Sequence, residues 1–331
     1  MLDALEQAVR EVSDFDALVI CGDLFDTSNP SPQLVTEVQR ILSQGPRTLA
    51  LLGNHDMVSD AVGDNALGPL NALSNVLVVE RPEVDEIGDA LILSVPFQPG
   101  DCREWFPEVV AQLAGEADTY NNSSKRVLVF HLGVVDSRTP EFLAKAHDAI
   151  ELEVLQGLMQ KHGIDAAFCG NWHNPAKWQR IVQCGALAPT GWDNPGWDYG
   201  RVRTLDTSTG LISDMPIPGP RFLSVTTQEE AEIAKVEASR RRCKLYLSLK
   251  GDAATEETLD QVRSWGVEAR AVADTGAARE ATRAAAVAVK KASTLDEALA
   301  RYIAAMPVAE GLDREQIRAL ATGYLSRGGT Q

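Results

Sequence analysis

Leu2, Leu5, Val9 and Val12 recur at helical spacing, and the chain then passes into ALVIC (Ala17–Cys21), an unbroken apolar run of strand length. Ser31 followed by Pro32 is a helix start, and Leu34, Val35, Val38, Ile41 and Leu42 give that helix one apolar face. TLALL (Thr48–Leu52) is the next strand, and further strands are predicted at Val76–Val79, Leu91–Val95, Val127–Phe130 and Ala166–Cys169. Helices are predicted near residues 102–114 and 151–161. This alternation predicts an α/β layered domain with largely parallel pairing.

From about Gln179 the pattern changes to short strands and turns, including GWDNPGWDYG (Gly191–Gly200), and a second sheet covering the first is expected from this stretch. Residues 221–275 then predict a small α+β unit: a strand, a charged helix over Gln228–Arg240, the strand CKLYLSL, a helix and the strand VEARAV. Residues 276–331 contain an Ala-rich run and two helices. Thr294 with Glu297 forms a capping box for the first, which carries Leu295, Leu299, Tyr302, Ile303 and Met306; the second starts near Asp313 with Ile317, Leu320 and Tyr324 on one face. The expected division is thus 1–220, 221–275 and 276–331, the last segment packing on the small unit or docking on a partner helix.

Composition narrows the class. A chain of 331 residues, 44% of them hydrophobic, buries a large core, and no apolar stretch reaches the roughly 18 residues that span a bilayer. Neither a membrane span nor a signal-like segment is predicted, and a cytoplasmic protein is expected. Five cysteines without a C-x-x-C pair fit reduced thiols, Cys21 and Cys169 being small core residues. The net charge of −16 excludes a protein that grips a polyanion unaided. Arg240, Arg241, Arg242 and Lys244 form the one dense basic run, expected at a solvated helix end.

Against this background the polar residues at the ends of apolar runs stand out. GDLFD (Gly22–Asp26) follows the first strand and GNHD (Gly53–Asp56) the second, while VLVFH ends at His131 and AAFCGNWH at His173. Carboxylate, amide and imidazole groups delivered to neighbouring strand ends suit a centre of one or two divalent ions. Asp23 is placed to bridge two ions, Asn54 offers an amide oxygen, and His131 and His173 offer imidazole nitrogens. His55 is left for acid or hydrogen-bonding work, with Asp26 to hold its tautomer. His147 and His162 read as surface residues. Trp172, Trp178, Trp192 and Trp197 read as packing of the second sheet or as stacking surfaces for bases.

GDLFD, GNHD, VFHLG and GNWHNP, in that order, resemble the calcineurin-like metallophosphoesterases, and among them the SbcD-type DNA repair nucleases and their bacteriophage counterparts. The resemblance covers roughly residues 1–205 by motif and the remainder by order of parts. It implies a four-layer αββα sandwich with a small α+β capping domain and C-terminal helices. It also implies manganese-dependent exonuclease and endonuclease action on DNA ends, an SbcC-like ABC ATPase partner bound through the C-terminal helices, and a homodimer. By the family pattern Asp23 bridges the ions, Asn54 and His131 serve one, His173 serves the other, and Asp26 supports His55.

Two positions depart from that pattern. No D-x-H precedes Gly22, and Asn171 stands where the closing G-H-x-H has histidine. One metal position keeps Asp23, Asn54 and His131, with Asn171 as a further amide ligand; the other keeps Asp23 and His173. Two protein ligands fall short of the about three that open catalytic sites retain, so one occupied position and impaired hydrolysis are expected. Three functions stay open on the sequence: a DNA-end nuclease subunit, a degenerate subunit that only binds DNA ends or the ATPase, and a small-molecule phosphatase or cyclic-nucleotide phosphodiesterase.

Overall fold

The computed structural model describes residues 2–59, 63–120, 124–139, 144–189, 191–192, 196–272, 294–305 and 313–319. The Ala-rich run, the Asn194–Pro195 turn, Met306, Leu320 and Tyr324 lie outside them. The chain begins with helix α1 (Leu2–Glu11), strand β1 (Ala17–Ile20), helix α2 (Pro32–Leu42), strand β2 (Arg47–Leu51) and strand β3 (Val76–Val79). As expected of Ser-Pro, Ser31 caps α2, accepting from the Leu34 amide at 3.2 Å, with Pro32 in the first turn. The three strands pair in the order β1-β2-β3, all parallel.

The next elements are β4 (Glu83–Ile87), β5 (Ala90–Val95), α3 (Cys102–Ala117), β6 (Lys125–Phe130), β7 (Gly133–Val135) and β8 (Ala149–Glu151). After them come α4 (Leu152–His162), β9 (Ala166–Cys169), β10 (Ala176–Trp178) and β11 (Ile181–Gln183). Six of these strands form a second sheet in the order β10-β11-β9-β6-β5-β4, its four central strands parallel and its two edges antiparallel hairpins. β7 and β8 make a small parallel pair of their own.

Side-chain alternation sorts these elements into four layers. On β2, Leu49 and Leu51 face the second sheet while Ala50 faces α1 and α2; on β6, Val127 and Val129 face the first sheet while Leu128 and Phe130 face α3 and α4. β5 and β9 divide in the same way, Ile92 and Phe168 inward, Leu93 and Cys169 outward. Strands with apolar side chains on both faces can be covered only by a layer on each side, and the result is an α-β-β-α sandwich. The expectation that the second sheet begins near Gln179 is corrected here. Its core is β5, β6 and β9, and only β11 and the edge strand β10 come from near that point. Period-2 patterning does not say which of two sheets a doubly buried strand joins.

A hairpin, β12 (Arg201–Asp206) with β13 (Leu211–Pro216), sends Leu205 and Ile212 to the inter-sheet core. From Arg221 a separate parallel sheet follows in the order β14 (Arg221–Val225), β15 (Leu245–Leu249), β16 (Glu268–Ala271). Helices α5 (Gln228–Arg240) and α6 (Glu256–Ser264) cover one face of it with Ala231, Ala234, Ala238 and Val262. Arg240 and Arg241 at the end of α5 pair with Glu237, and Lys244 pairs with Glu268. Thr294 accepts from the Glu297 amide at 3.1 Å and opens α7 (Leu295–Ala305); residues 314–319 are helical. Among the described residues no helix is long and apolar enough to cross a membrane.

Candidate metal centre

Parallel pairing carries the C-terminal ends of β1, β2, β6 and β9 to one edge of the sandwich, so the residues that follow each strand become neighbours. The turn after β1 is tight. Gly22 has φ +90° and Asp23 φ +51°, and a Cβ at Gly22 would lie 2.0 Å from His131 Nδ1, so glycine is required both by backbone and by space. This bare backbone lets the His131 ring sit against the turn. Nδ1 lies 2.6 Å from the Cys21 carbonyl oxygen, to which it donates. That bond fixes the tautomer and aims Nε2 at Asp23 Oδ2, 3.2 Å away, and Asn54 Oδ1, 3.0 Å away.

Asp23, Asn54 and His131 therefore meet. His131 is fully buried; burial alone pushes its imidazole down, but the hydrogen bond and charge of Asp23 outweigh burial and raise its pKa above the ordinary value. Burial likewise works to raise the Asp23 carboxyl, and His131 together with the His55 amide, 3.0 Å from Oδ1, holds it below the ordinary carboxylate range. A proton on His131 Nε2 thus lies between two oxygens. A divalent ion bound at about 2.0–2.2 Å from each donor spaces its neighbouring ligands about 3 Å apart, which the separations of 3.0 and 3.2 Å match. One carboxylate, one amide oxygen and one oriented imidazole fit a single divalent ion that takes the place of that proton. Among the described residues no three His, Cys, Asp or Glu side chains converge on one point, and this cluster reaches three donors only through the Asn54 amide.

Asp56, the last residue of GNHD, is buried beneath the cluster. Its two oxygens accept from the Phe25 and Gly53 amides, each at 3.0 Å, which locks the turn after β1 to the turn after β2. Burial pushes its carboxyl up to about 6, against the pull of those two amides. His55 and Asp26 are exposed beside the cluster, with Nδ1 3.7 Å from Oδ1, an ion-pair distance rather than a hydrogen bond.

The closing motif is placed differently. Gly170 packs so closely that a Cβ there would lie 2.0 Å from the Cys21 carbonyl oxygen and 3.0 Å from His131 Nδ1. Asn171 follows at φ +68°, and its amide nitrogen donates to Asp148 Oδ2 at 2.8 Å. His173 is exposed and makes no hydrogen bond or ion pair with Asp23 among the described residues; its carbonyl accepts from the Ala186 amide. The structure thus joins three of the five expected ligands and gives Asn171 and His173 other partners, Asp148 and the Ala186 amide.

Sequence reasoning missed Asp56, Asp148 and the Cys21 carbonyl. Asp56 carried a signal, as an acid inside GNHD; the other two carried none. The four tryptophans divide between regions. Trp172 lies on Gly133, Trp178 donates to Asp136 at 3.0 Å, Trp192 meets Phe222 edge-on, and Trp197 packs on the small unit under Arg241. His147 is exposed beside Asp101, as expected of a surface residue. His162 departs from that expectation, because Nε2 is buried without a hydrogen-bond partner among the described residues and burial lowers its pKa.

Residues 1–175 match the family model for calcineurin-like phosphoesterases. The chain belongs to that family. Calcineurin-like phosphoesterases hydrolyse phosphoesters with divalent metals, and the matched segment holds the whole Asp23–Asn54–His131 cluster. No curated protein matches the chain. Among solved structures it is similar to a Staphylococcus aureus protein assigned as a 5'-nucleotidase, in complex with alpha-ketoglutarate. The identity is 14% and the TM-score 0.39, over 66% of this chain and 48% of that one. The chain spans about half the length of that protein.

Proposed function

We propose that this calcineurin-like phosphoesterase hydrolyses phosphodiester bonds at DNA ends, as the nuclease subunit of an SbcD-type complex with an ABC ATPase. The observation that carries the hydrolytic part is the convergence of Asp23, Asn54 and His131 at three strand ends, with the imidazole tautomer fixed by Cys21. The DNA-end part rests on the resemblance of the motifs to SbcD-type nucleases. It rests also on the order of parts, in which a small α/β unit and C-terminal helices follow the phosphoesterase domain. A bound divalent ion, manganese by that resemblance, supplies an activated water and neutralises the phosphoryl oxygens.

The remaining roles belong to the chain. Asp23 and Asn54 present oxygens, His131 presents Nε2, and Asp56 keeps both turns in register. His55, with Asp26 beside it, is exposed where a phosphodiester would approach and donates a proton or hydrogen bond to the phosphate or leaving oxygen. With a net charge of −16, the chain draws affinity for DNA from the ion and from the ATPase partner.

A second reading has its own observation. His173 is unconnected to Asp23, and two protein ligands hold an ion weakly, which favours a subunit that binds DNA ends or the ATPase without hydrolysis. Manganese-dependent degradation of linear duplex DNA, with and without the ATPase, separates the two. Degradation that His55→Ala lowers by about 10²-fold or more supports the nuclease. No degradation under either condition, with DNA-end binding retained, supports the binding subunit.

A further inference from the structure

Two of the five cysteines meet between the sheets of the sandwich. Cys21 follows β1 in the first sheet, Cys184 follows β11 in the second, and both pack against the inter-sheet core. Their sulfurs lie 4.0 Å apart, one thiol donating to the other across 163 residues of sequence. Both residues are partly exposed, whereas Cys102 and Cys169 are buried. The other thiols are engaged elsewhere. Cys169 packs with the residues that face α3 and α4, Cys102 donates to the Ala149 carbonyl at 3.2 Å, and Cys243 donates to the Ala238 carbonyl in the small unit.

Cys21 is also the residue whose carbonyl orients His131. That oxygen accepts from His131 Nδ1 at 2.6 Å, and Gly170 crowds it so closely that a Cβ there would stand 2.0 Å away. The two residues that follow, Gly22 and Asp23, both hold positive φ. Cys184 is tied on its own side, its amide donating to the Cys169 carbonyl at 2.9 Å. A bond between the two sulfurs would therefore connect the turn that carries the metal cluster to the edge of the second sheet.

We propose that Cys21 and Cys184 are an oxidation site: hydrogen peroxide converts them to an intramolecular disulfide, and the cross-link loosens the divalent ion held by Asp23, Asn54 and His131. One thiol takes an oxygen from the peroxide and becomes a sulfenic acid, the rest of the peroxide leaving as water. The second sulfur then displaces that hydroxyl, which leaves as a second water with the remaining thiol proton, and the S–S bond forms. Both sulfurs are oxidised and both peroxide oxygens are reduced. The sulfurs close from 4.0 Å to about 2.05 Å. That movement draws on the Cys21 carbonyl, which has no free space between His131 and Gly170. A displaced carbonyl no longer fixes the imidazole tautomer, and Nε2 is no longer presented to the ion. The proposal rests on the metal-centre reading and adds to it a modification site and its effect on the ion.

The full chain is treated with hydrogen peroxide, desalted and alkylated, and its peptides are mapped by mass spectrometry beside a non-reducing gel. Reduced, oxidised and re-reduced protein are each titrated calorimetrically with manganese chloride. A Cys21–Cys184 cross-linked peptide is expected from monomeric chain, and dithiothreitol removes it. Manganese affinity is expected to be lower by about 10-fold or more in the oxidised protein, the usual cost of disturbing an outer-shell partner, and to return on reduction. Cys184→Ser forms no cross-link and keeps its manganese affinity through the same treatment. If that variant does not fold, recovery on dithiothreitol makes the comparison within the wild-type chain, because that reagent does not repair oxidised methionine. Absence of the cross-linked peptide, or a disulfide only between chains, overturns the proposal. So does a cross-linked chain that binds manganese as tightly as the reduced one, or an equal loss of affinity in Cys184→Ser. No manganese binding by the reduced wild-type chain would defeat the metal-centre reading and with it the effect on the ion, while the cross-linked peptide still decides the thiol pair.

Discussion

Asp56 shows how much one buried carboxylate does for this site. It takes the Phe25 amide on one oxygen and the Gly53 amide on the other, joining the two turns that His131 also joins through the Cys21 carbonyl and Asn54 Oδ1. Asp56→Ala leaves two buried donors without acceptors, at about 1–3 kcal/mol each. Urea unfolding is expected to show a loss of about 2–6 kcal/mol; a loss under about 1 kcal/mol would mean that the turns hold themselves. GNHD displayed the residue types in the sequence, but not that its first and last residues turn inward while His55 turns out. That sorting comes from the positive φ of Asp23 and the close approach of Gly53 to it, which no pattern of polarity encodes. Asp148 was still less legible, since a lone acid in a polar stretch gains its role only when β8 pairs with β7.

At the scale of elements, the sandwich strands legible in the sequence were those with four or more apolar residues in a row, among them β1, β2, β6 and β9, which lead into Asp23, Asn54, His131 and Asn171. β4, reading EVDEI, was missed because acids flank its one buried valine, and β7 and β8 because three residues are too short to show a period. The same short elements are tied by polar contacts. Asp136, just after β7, accepts from Trp178 on β10 and pairs with Arg138, and the hydrogen bond from Arg138 leads the causes that hold its carboxyl near about 2. Its pKa is depressed in the folded protein, so its contribution is complete above about pH 4 and is lost as the pH falls through 2. Much of that interaction is screened by solvent, and about 1 kcal/mol is expected. Asp136→Asn should lower stability by that amount at pH 6 and by only a small part of it near pH 2 in acid-dependent unfolding. A difference at pH 2 as large as that at pH 6 would contradict the assignment.

Across the whole molecule, two sheets stacked face to face gather ligands that lie over a hundred residues apart in the chain, and the cluster exists only when both sheets are formed. An ion bound there favours the folded chain alone, adding about 2.7 kcal/mol at a concentration one hundred times its dissociation constant. Manganese is therefore expected to raise the melting temperature of the wild-type chain and to leave that of His131→Ala unchanged. The central claim is that the Asp23–Asn54–His131 cluster hydrolyses phosphodiesters, and the most direct measurement needs neither DNA nor a partner. The full chain is incubated with bis(p-nitrophenyl) phosphate and manganese, and nitrophenolate release is compared between wild type and Asp23→Asn. Release that requires manganese and falls by about 10²-fold or more in the variant is the predicted result; equal release by both, or release that survives chelation, would contradict the account.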